Sequence, residues 1–303
     1  MNPETLTTTT GCGVCGATTV RELYTAPDRL GNSATTFTIA ECDGCGVLRT
    51  LPAMCQIELA AFYPDEYWGG TNEPGESWIR SSQSEKTLFL DKCGSRGGRI
   101  LDVGCGAGFF LRALDPTRWD RFGVEIGKAA SEQAARALGL DHVRAGTLVE
   151  AAFDDSCFDV VTLWSALEHT NEPRANLIEA RRILKPGGTL IVQVPNAASY
   201  QARWFNGSWF SLDAPRHRYH FSATGLDRLL SQTGFETYRR TFLSRTHNSH
   251  ALRQSLKARL RSPESSSFSR GLFYLAIPLI KPFDFAMTVL DEGATMTCAA
   301  RAV

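Results

Sequence analysis

The sequence predicts an α/β protein, a doubly wound sheet of seven strands preceded by a small cysteine-bearing module. Three observations carry this. From about residue 98 onward, apolar runs of strand length alternate with segments of helical spacing. The stretch Ile100-Leu-Asp-Val-Gly-Cys-Gly-Ala-Gly108 sets a short apolar strand directly before three glycines at alternate positions, and Phe109, Phe110, Leu111 and Leu114 then recur at helical spacing. Two Cys-x-x-Cys pairs stand near the N-terminus. At 303 residues with 43% hydrophobic content, the chain is long enough for two domains and a sizeable core.

Residues 1–66 read as a zinc-ribbon module. Cys12-Gly-Val-Cys15 and Cys42-Asp-Gly-Cys45 each run into a glycine, Gly16 and Gly46. Such a turn presents two thiolates and lets backbone N–H groups point at sulfur. Four thiolates make a closed tetrahedral site, which is structural rather than catalytic. Nine cysteines is an odd number, and the paired spacing favours metal ligation in a reducing cytoplasm over disulfides. Structural zinc is the expectation; iron in the same geometry, or knuckles without metal, are the alternatives. The alternating run Phe37-Thr-Ile-Ala-Glu-Cys42 reads as a strand entering the second knuckle. A module this small needs the metal to offset its thin core. Cys55, Cys93, Cys105, Cys157 and Cys298 lack paired spacing and read as small buried residues.

Charge excludes one class of partner. The whole chain balances 32 cations against 32 anions. Residues 1–66 hold three cations (Arg21, Arg29, Arg49) and eight acids, a net of minus five. That balance repels a phosphate backbone, so nucleic acid is not the expected partner. The first residues show no basic and apolar leader, which fits a cytoplasmic protein. Residues 67–95 read as linker and helix. The aromatic run Phe62, Tyr63, Tyr67 and Trp68 reads either as packing between modules or as a satellite cluster; residues 69–84, rich in Gly, Ser and Glu, read as linker; a helix is expected over 85–93.

Residues 96–303 carry the chemistry. Glycine permits positive φ and lets a ligand lie against bare backbone, and the helix that follows offers unpaired N–H groups. A dinucleotide fingerprint wants G-x-G-x-x-G, and Phe109 stands where its third glycine would be. Arg121-Phe-Gly-Val-Glu-Ile126 reads as a second strand ending in an acid. A carboxylate there can accept hydrogen bonds from both ribose hydroxyls of any nucleotide. His142 to Leu148 reads as strand three and Phe158 to Trp164 as strand four, followed by Ser165-Ala-Leu-Glu-His169. Leu184-Lys-Pro-Gly-Gly188 turns into strand five, Thr189 to Val194.

These motifs together resemble the class I S-adenosylmethionine (SAM)-dependent methyltransferases: D-x-G-x-G-x-G from Asp102, the acid of strand two, the Glu168-His169 pair and the L-K-P-G-G turn. The resemblance is close over residues 98–200 and looser elsewhere. It implies a Rossmann-like sheet with SAM held by Asp102, Gly104, Cys105, Gly106, Gly108, Glu125, Thr147, Leu148 and Trp164. An NAD-linked oxidoreductase shares this architecture; Phe109 and the L-K-P-G-G turn speak against it. The order of ribbon, aromatic run and SAM domain is similar to bacterial methyltransferases of surface-polysaccharide, lipid and secondary-metabolite pathways, sugar C-methyltransferases among them. The implied reaction is methylation of a small molecule such as a sugar nucleotide or glycolipid precursor. The rivals are an rRNA or tRNA methyltransferase and a non-catalytic scaffold.

The segment Trp204 to Ser222 follows strand five and is rich in aromatics and histidines, in a pattern too irregular for a core element. Asp213 to Ser222 resembles the D-x-P-x-H-x-x-x-F-S segment of the same group. His217 is the leading general base, with His220 and His169 as the other candidates, because histidine titrates near neutrality. The alternative for each is a structural tie. Ser222 is expected to cap a helix bearing Leu226, Leu229 and Leu230.

Seven cations and no acid lie between Arg239 and Arg261, and the apolar run Gly271 to Leu290 follows, broken by Pro278, Lys281, Pro282 and Asp284. A membrane span is therefore not expected. Thr295 to Arg301 reads as the last strand, antiparallel to Glu236–Phe242, which makes about 246–290 an insertion. An apolar helix beside a cationic one suits an interface. Residues 250–290 would make peripheral membrane contact, roof a lipophilic substrate, or form a homodimer.

Overall fold

The computed structural model describes residues 5–8, 10–30, 35–55, 58–59, 61–63, 74–244, 247–261 and 282–303. The chain divides into two compact units. One gathers Met1–Tyr63, Val194–Leu226 and Thr241–Met296; the other gathers Pro64–Gln193, Asp227–Arg240 and Thr297–Val303.

The second unit is built on a sheet of seven strands. In chain order these are β5 (Gly98–Val103), β6 (Trp119–Glu125), β7 (Val143–Ala145), β8 (Phe158–Trp164), β9 (Leu184–Pro195), β11 (Phe235–Thr241) and β12 (Thr295–Ala302). Their order across the sheet is β11-β12-β9-β8-β5-β6-β7. The pairs β5–β6, β6–β7, β5–β8 and β8–β9 are parallel. Parallel strands covered on both faces read as unbroken apolar runs, and Ile100, Leu101, Val160, Val161, Leu190 and Ile191 are all fully buried. The crossover helices include α3 (Phe109–Ala113), α4 (Lys128–Leu138) and α5 (Pro173–Ile183). The chain winds outward from β5 through β6 to β7, then returns to lay β8 on the other side of β5. That reversal opens a crevice at the C-terminal ends of β5 and β8, where ligands bind in open α/β sheets.

Two helices precede β5: α1 (Glu76–Ser82) and α2 (Ser84–Lys92). The second agrees with the sequence reading. The first corrects the linker assigned to 69–84: Glu76 in its first turn and Arg80 in its last suit the helix dipole, and Ile79 is buried. Strand three is shorter than expected, because Leu140–His142 forms a 3-10 turn and Thr147 and Leu148 lie beyond β7. The strand at Thr295 sits beside β11 as anticipated.

The first unit carries a five-stranded sheet of order β1-β2-β3-β4-β10: β1 (Thr5–Thr7), β2 (Thr19–Pro27), β3 (Thr36–Cys42), β4 (Leu48–Leu51) and β10 (Tyr219–His220). All its ladders are antiparallel. Its last strand comes from far along the chain, so a boundary drawn at residue 66 leaves this sheet one strand short. Phe37, Ile39, Tyr200, Phe205, Trp209, Leu212, Ala251 and Leu252 form one apolar cluster. Tyr200 and Phe205 lie on α6 (Tyr200–Phe205), and Ala251 and Leu252 on α8 (His247–Arg261). The segment read as too irregular for a core is therefore core: Trp209, Arg216, Tyr219, His220 and Phe221 are all buried. Irregular backbone hid this, because short 3-10 turns present apolar groups inward without a period. Phe62 meets Phe37 edge-on at 5.5 Å within this unit, whereas Tyr67 and Trp68 lie outside the described residues. Ser222 accepts the Gly225 N–H at 3.1 Å and caps α7 (Ala223–Gln232) as expected.

Of the apolar run 271–290, only residues from 282 onward are described, helical over 282–289. Asp284 ties this piece to its unit by accepting from Tyr200 Oη at 2.9 Å, Gln201 Nε2 at 3.1 Å and Ser249 Oγ at 3.1 Å. Among the described residues, no helix is long and apolar enough to cross a membrane.

Candidate active site

The loop after β5 is shaped by its glycines. Gly104, Gly106 and Gly108 have φ of +72°, +53° and +78°, values that side-chain-bearing residues rarely adopt. A Cβ on Gly104 would lie 2.9 Å from the Ala166 side chain, so the loops after β5 and β8 touch. A Cβ on Gly106 would meet nothing within 4 Å, so the loop faces open space there. A cofactor can therefore lie against bare backbone.

Glu125 ends β6 and is buried. Its Oε2 accepts the Gly106 N–H at 2.8 Å and its Oε1 accepts the Gly127 N–H at 2.7 Å. Each oxygen keeps a second lone pair, which is what two ribose hydroxyls require. Burial raises its pKa against these backbone hydrogen bonds. The Gly146 N–H donates to the Glu125 carbonyl at 3.0 Å, which brings the turn bearing Thr147 and Leu148 to the same strand end. Leu148 is buried, and the Thr147 hydroxyl donates to Glu150 at 2.7 Å.

Asp102 lies at the end of β5 and is buried; its Oδ1 accepts the Thr162 hydroxyl at 2.7 Å. Burial raises its pKa to about 7, against the charge of Lys86 and the Thr162 hydrogen bond. Cys105 is also buried, and desolvation first, then the charges of Asp102 and Glu125, push its thiol pKa far up. It is inert at neutral pH and packs close under Gly123. Trp164 ends β8, meets Phe110 edge-on at 5.3 Å, and has Lys86 Nζ 5.5 Å from its ring centroid. Sequence reading missed Lys86 and Thr162. Thr162 is two residues before Trp164 and so shares its strand face; nothing in the sequence marks Lys86.

In the first unit, the four knuckle sulfurs lie within 4.8 Å of one another. Cys12 and Cys45 are 3.9 Å apart and Cys15 and Cys42 3.6 Å apart. Sulfurs at a Zn–S bond of about 2.3 Å in a tetrahedron sit roughly 3.8 Å apart, so the donor set fits one four-coordinate ion. Gly16 and Gly46 each donate an N–H to the backbone carbonyl of the first cysteine of their knuckle, at 2.6 Å and 2.8 Å, which closes each turn. The unpaired cysteines divide. Cys93, Cys105 and Cys298 are buried as expected; Cys55 is exposed and Cys157 half-buried, which corrects the reading for those two.

The histidines differ in what holds them. Thr50 has one hydroxyl proton and donates it to the His217 carbonyl at 2.7 Å. Its oxygen is 2.9 Å from His220 Nε2, so that nitrogen must carry the proton. His220 Nδ1 is buried with no partner, and burial pushes the pKa of the ring down to about 3. At neutral pH this ring is a weak base inside a sheet. His217 Nδ1 lies 2.9 Å from the Ser211 carbonyl, which can only accept, so Nδ1 carries the proton and Nε2 the lone pair. His169 is half-buried in the 3-10 turn after β8, in the other unit. Arg216, fully buried, pairs with Asp28 at 2.8 Å and Asp213 at 2.9 Å and donates to the Phe62 carbonyl at 2.7 Å.

A family model described as a methyltransferase domain matches residues 78–239, more than half of the chain. The chain belongs to this methyltransferase family. A probable S-adenosylmethionine-dependent methyltransferase of Mycolicibacterium smegmatis is 25% identical over 162 residues, covering 52% of this chain and 59% of the relative. A ubiquinone biosynthesis O-methyltransferase of Psychrobacter cryohalolentis is 33% identical over 125 residues, covering 38% and 47%. The chain thus spans about half the length of the curated relatives it matches. Among solved structures, a SAM-dependent methyltransferase of Archaeoglobus fulgidus overlays with a TM-score of 0.50 at 17% identity, over 75% of this chain and 94% of its own. Geranyl diphosphate C-methyltransferase of Streptomyces coelicolor does so with 0.50 at 16%, over 78% and 84%. At these identities the overlays establish the fold.

Proposed function

We propose that this methyltransferase methylates a small-molecule acceptor, a sugar nucleotide, a glycolipid precursor or a related metabolite, with His217 as general base. The Ser211 carbonyl carries the reading: by fixing the proton on Nδ1, it leaves Nε2 of His217 as the basic nitrogen. Bound SAM supplies the electrophilic methyl group. Asp102, the glycine loop from Gly104 to Gly108 and Glu125 hold and orient it, with Thr147, Leu148 and Trp164 beside them. His217 takes the acceptor's proton. The names of the relatives support a small acceptor, since a ubiquinone O-methyltransferase and a geranyl diphosphate C-methyltransferase both act on metabolites. The acidic N-terminal segment argues against RNA. The test is methyl transfer from labelled SAM to a panel of sugar nucleotides and polyprenyl or quinone-type acceptors, with total RNA alongside. Label in a small molecule supports the reading, and label in RNA alone overturns it.

The four cysteines Cys12, Cys15, Cys42 and Cys45 are proposed to hold structural zinc. Metal analysis of protein purified without chelator should give one zinc per chain, and iron or no metal would refute this. Cytoplasmic residence with peripheral contact to anionic lipid through residues 250–290 is proposed from surface chemistry. His247, His250, Arg253 and Lys257 are exposed on α8, and Phe285, Val289 and Leu290 are exposed nearby in sequence order to the last strand. Vesicle flotation with and without anionic lipid tests it; recovery in the unbound fraction in both cases would sink it.

A further inference from the structure

Arg49 lies on β4 and is 3% exposed. A guanidinium keeps its charge throughout the accessible pH range, so a positive charge is buried here. Its Nη1 donates to Thr8 Oγ1 at 3.4 Å, and its Nη2 donates to the carbonyls of Thr10 at 3.2 Å and Gly11 at 3.3 Å. These acceptors satisfy N–H groups, and all of them are neutral. Residues 1–66 hold two other cations, and both have carboxylates: Arg21 pairs with Glu41 and Arg29 with Asp213. Among the described residues, no carboxylate lies within ion-pair distance of Arg49. A buried charge is costly unless one of opposite sign offsets it.

The register of the sheet shows what stands near it. Arg49 is directly opposite Ala40 on β3. Opposed residues share a face of the sheet, and so do residues two apart on one strand. Cys42 is therefore a diagonal neighbour of Arg49 on the same face, a relation that spans about 7–8 Å. The carbonyls that accept from Arg49 belong to Thr10 and Gly11, and the chain runs from Gly11 straight into Cys12. Arg49 thus reaches the first knuckle from a strand position beside the second. Its charge is felt there: the Cys45 thiol first, and Arg49 among the further causes, hold the Cys12 pKa below the ordinary thiol value. Tyr219, opposite Arg49 on β10, supports the same loop by accepting the Gly13 N–H at 2.8 Å.

Four thiolates around one divalent ion leave two negative charges uncompensated. We propose that Arg49 is the internal counter-charge of the metal–thiolate centre of Cys12, Cys15, Cys42 and Cys45, a positioning residue that holds the first knuckle through its hydrogen bonds and offsets the thiolates through its charge. This rests on the zinc reading above and deepens it.

Two substitutions separate the charge from the hydrogen bonds. Arg49→Gln keeps an N–H donor for the Thr10 and Gly11 carbonyls without the charge, and Arg49→Lys keeps the charge. Zinc affinity is measured on the full chain by competition with a chromophoric chelator, and the cobalt(II)-loaded proteins are compared by absorption. Losing a partner that supports the ligands costs metal affinity roughly 10- to 100-fold. Arg49→Gln should bind zinc more weakly by that factor, and Arg49→Lys should recover most of it. A positive charge beside sulfur lowers the energy of its lone pairs. The sulfur-to-cobalt charge-transfer bands should therefore move to longer wavelength in Arg49→Gln and stay in place in Arg49→Lys. Wild-type zinc affinity in Arg49→Gln, equal losses in the two variants, or unmoved bands in Arg49→Gln overturn the proposal. Should Arg49→Gln fail to fold, Arg49→Lys decides: retained affinity with unmoved bands supports the counter-charge, and a loss of affinity or a shift of the bands overturns it. If wild type takes up neither zinc nor cobalt, the cysteine-site reading itself falls. If wild type binds both and Arg49→Gln matches it, only the role of Arg49 falls.

Discussion

The cofactor end of the parallel sheet and the segment from Ser199 to Ser222 are encoded differently. At the cofactor end, function is local. Gly104, Gly106 and Gly108 set their own loop, and Glu125 is bonded to Gly127 in its own turn and to Gly106 of that loop. In the other segment several of the decisive ties reach far along the chain. His220 is held by Thr50, Arg216 by Asp28, and Tyr219 donates a strand to β4 and accepts the Gly13 N–H at 2.8 Å. The first region is a motif; the second is a set of side chains that need a distant sheet before they mean anything. Changes in the metal-bearing sheet should therefore reach His217 while leaving cofactor affinity in place.

The largest expected effect comes from the knuckles. Structural zinc contributes on the order of 10–16 kcal/mol to small modules. Removing it by chelation, or replacing Cys42 with Ser, should abolish methyl transfer and remove a cooperative thermal transition. Affinity for S-adenosylhomocysteine should stay within about threefold. Loss of that affinity in parallel would break the comparison, because it would make the parallel sheet depend on the metal as well.

Replacing His217 with Asn sharpens the same contrast without unfolding anything. A general base contributes roughly 10²–10⁴ in rate, so kcat should fall by that factor with cofactor affinity unchanged. His220→Asn should instead lower stability, because the ring is locked to Thr50 in the interior and titrates near 3. If His220→Asn left stability intact and cost more rate than His217→Asn, the assignment would have to be reversed.

The Arg216 clamp comes next. Its guanidinium joins two carboxylates out of water, and breaking such a pair costs about 3–5 kcal/mol. Arg216→Met should lower the midpoint of unfolding accordingly. Burial alone would raise the Asp213 pKa; the protonated His217 ring at acid pH, together with Arg216 and Arg29, holds it below the ordinary carboxylate range. A depressed folded value contributes stability above the unfolded pKa of about 3.9 and loses it as pH falls toward the folded one. The variant should therefore show a shallower acid limb than wild type in denaturation followed from pH 5 down.

How much could be read in advance follows from this difference. The glycine loop, Glu125 and the cysteine spacing were legible because each is a short pattern whose residue types are dictated by backbone geometry or ligand chemistry. The seven-stranded sheet followed from the alternation of apolar runs with helical spacing. Three features escaped. The helix over Glu76–Ser82 begins at Gly75 without a side-chain cap, so its composition read as linker. The strand Tyr219–His220 is two residues long, below the length at which alternation registers. Lys86 carries no motif; it becomes visible only once the fold sets its Nζ 5.5 Å from the Trp164 ring centroid. Pairings across long sequence separations leave no period to read.

The smallest effect at neutral pH, and the most specific, concerns Asp102. Its folded pKa is raised to about 7, chiefly by burial, with Lys86 and the Thr162 hydroxyl pulling it down and Glu125 pushing it up. If Asp102 receives the ammonium of the cofactor, the ionised form binds and the protonated form does not. Lowering the pH from 8 to 6 should then weaken S-adenosylhomocysteine binding by about tenfold, most of it below pH 7, since one unit below a pKa leaves roughly a tenth of the acid ionised. Binding at pH 6 should also release close to one proton, read as a dependence of the calorimetric heat on buffer ionisation enthalpy. For the apo protein the sign is opposite. A raised folded pKa means that Asp102 favours the fold at low pH and ceases to as pH rises through about 7. Stability without cofactor should therefore decline across the same range in which affinity improves. Asp102→Asn should flatten both curves. A flat affinity profile in wild type would show that Asp102 supports the loop through Thr162 alone and does not meet the cofactor's ammonium.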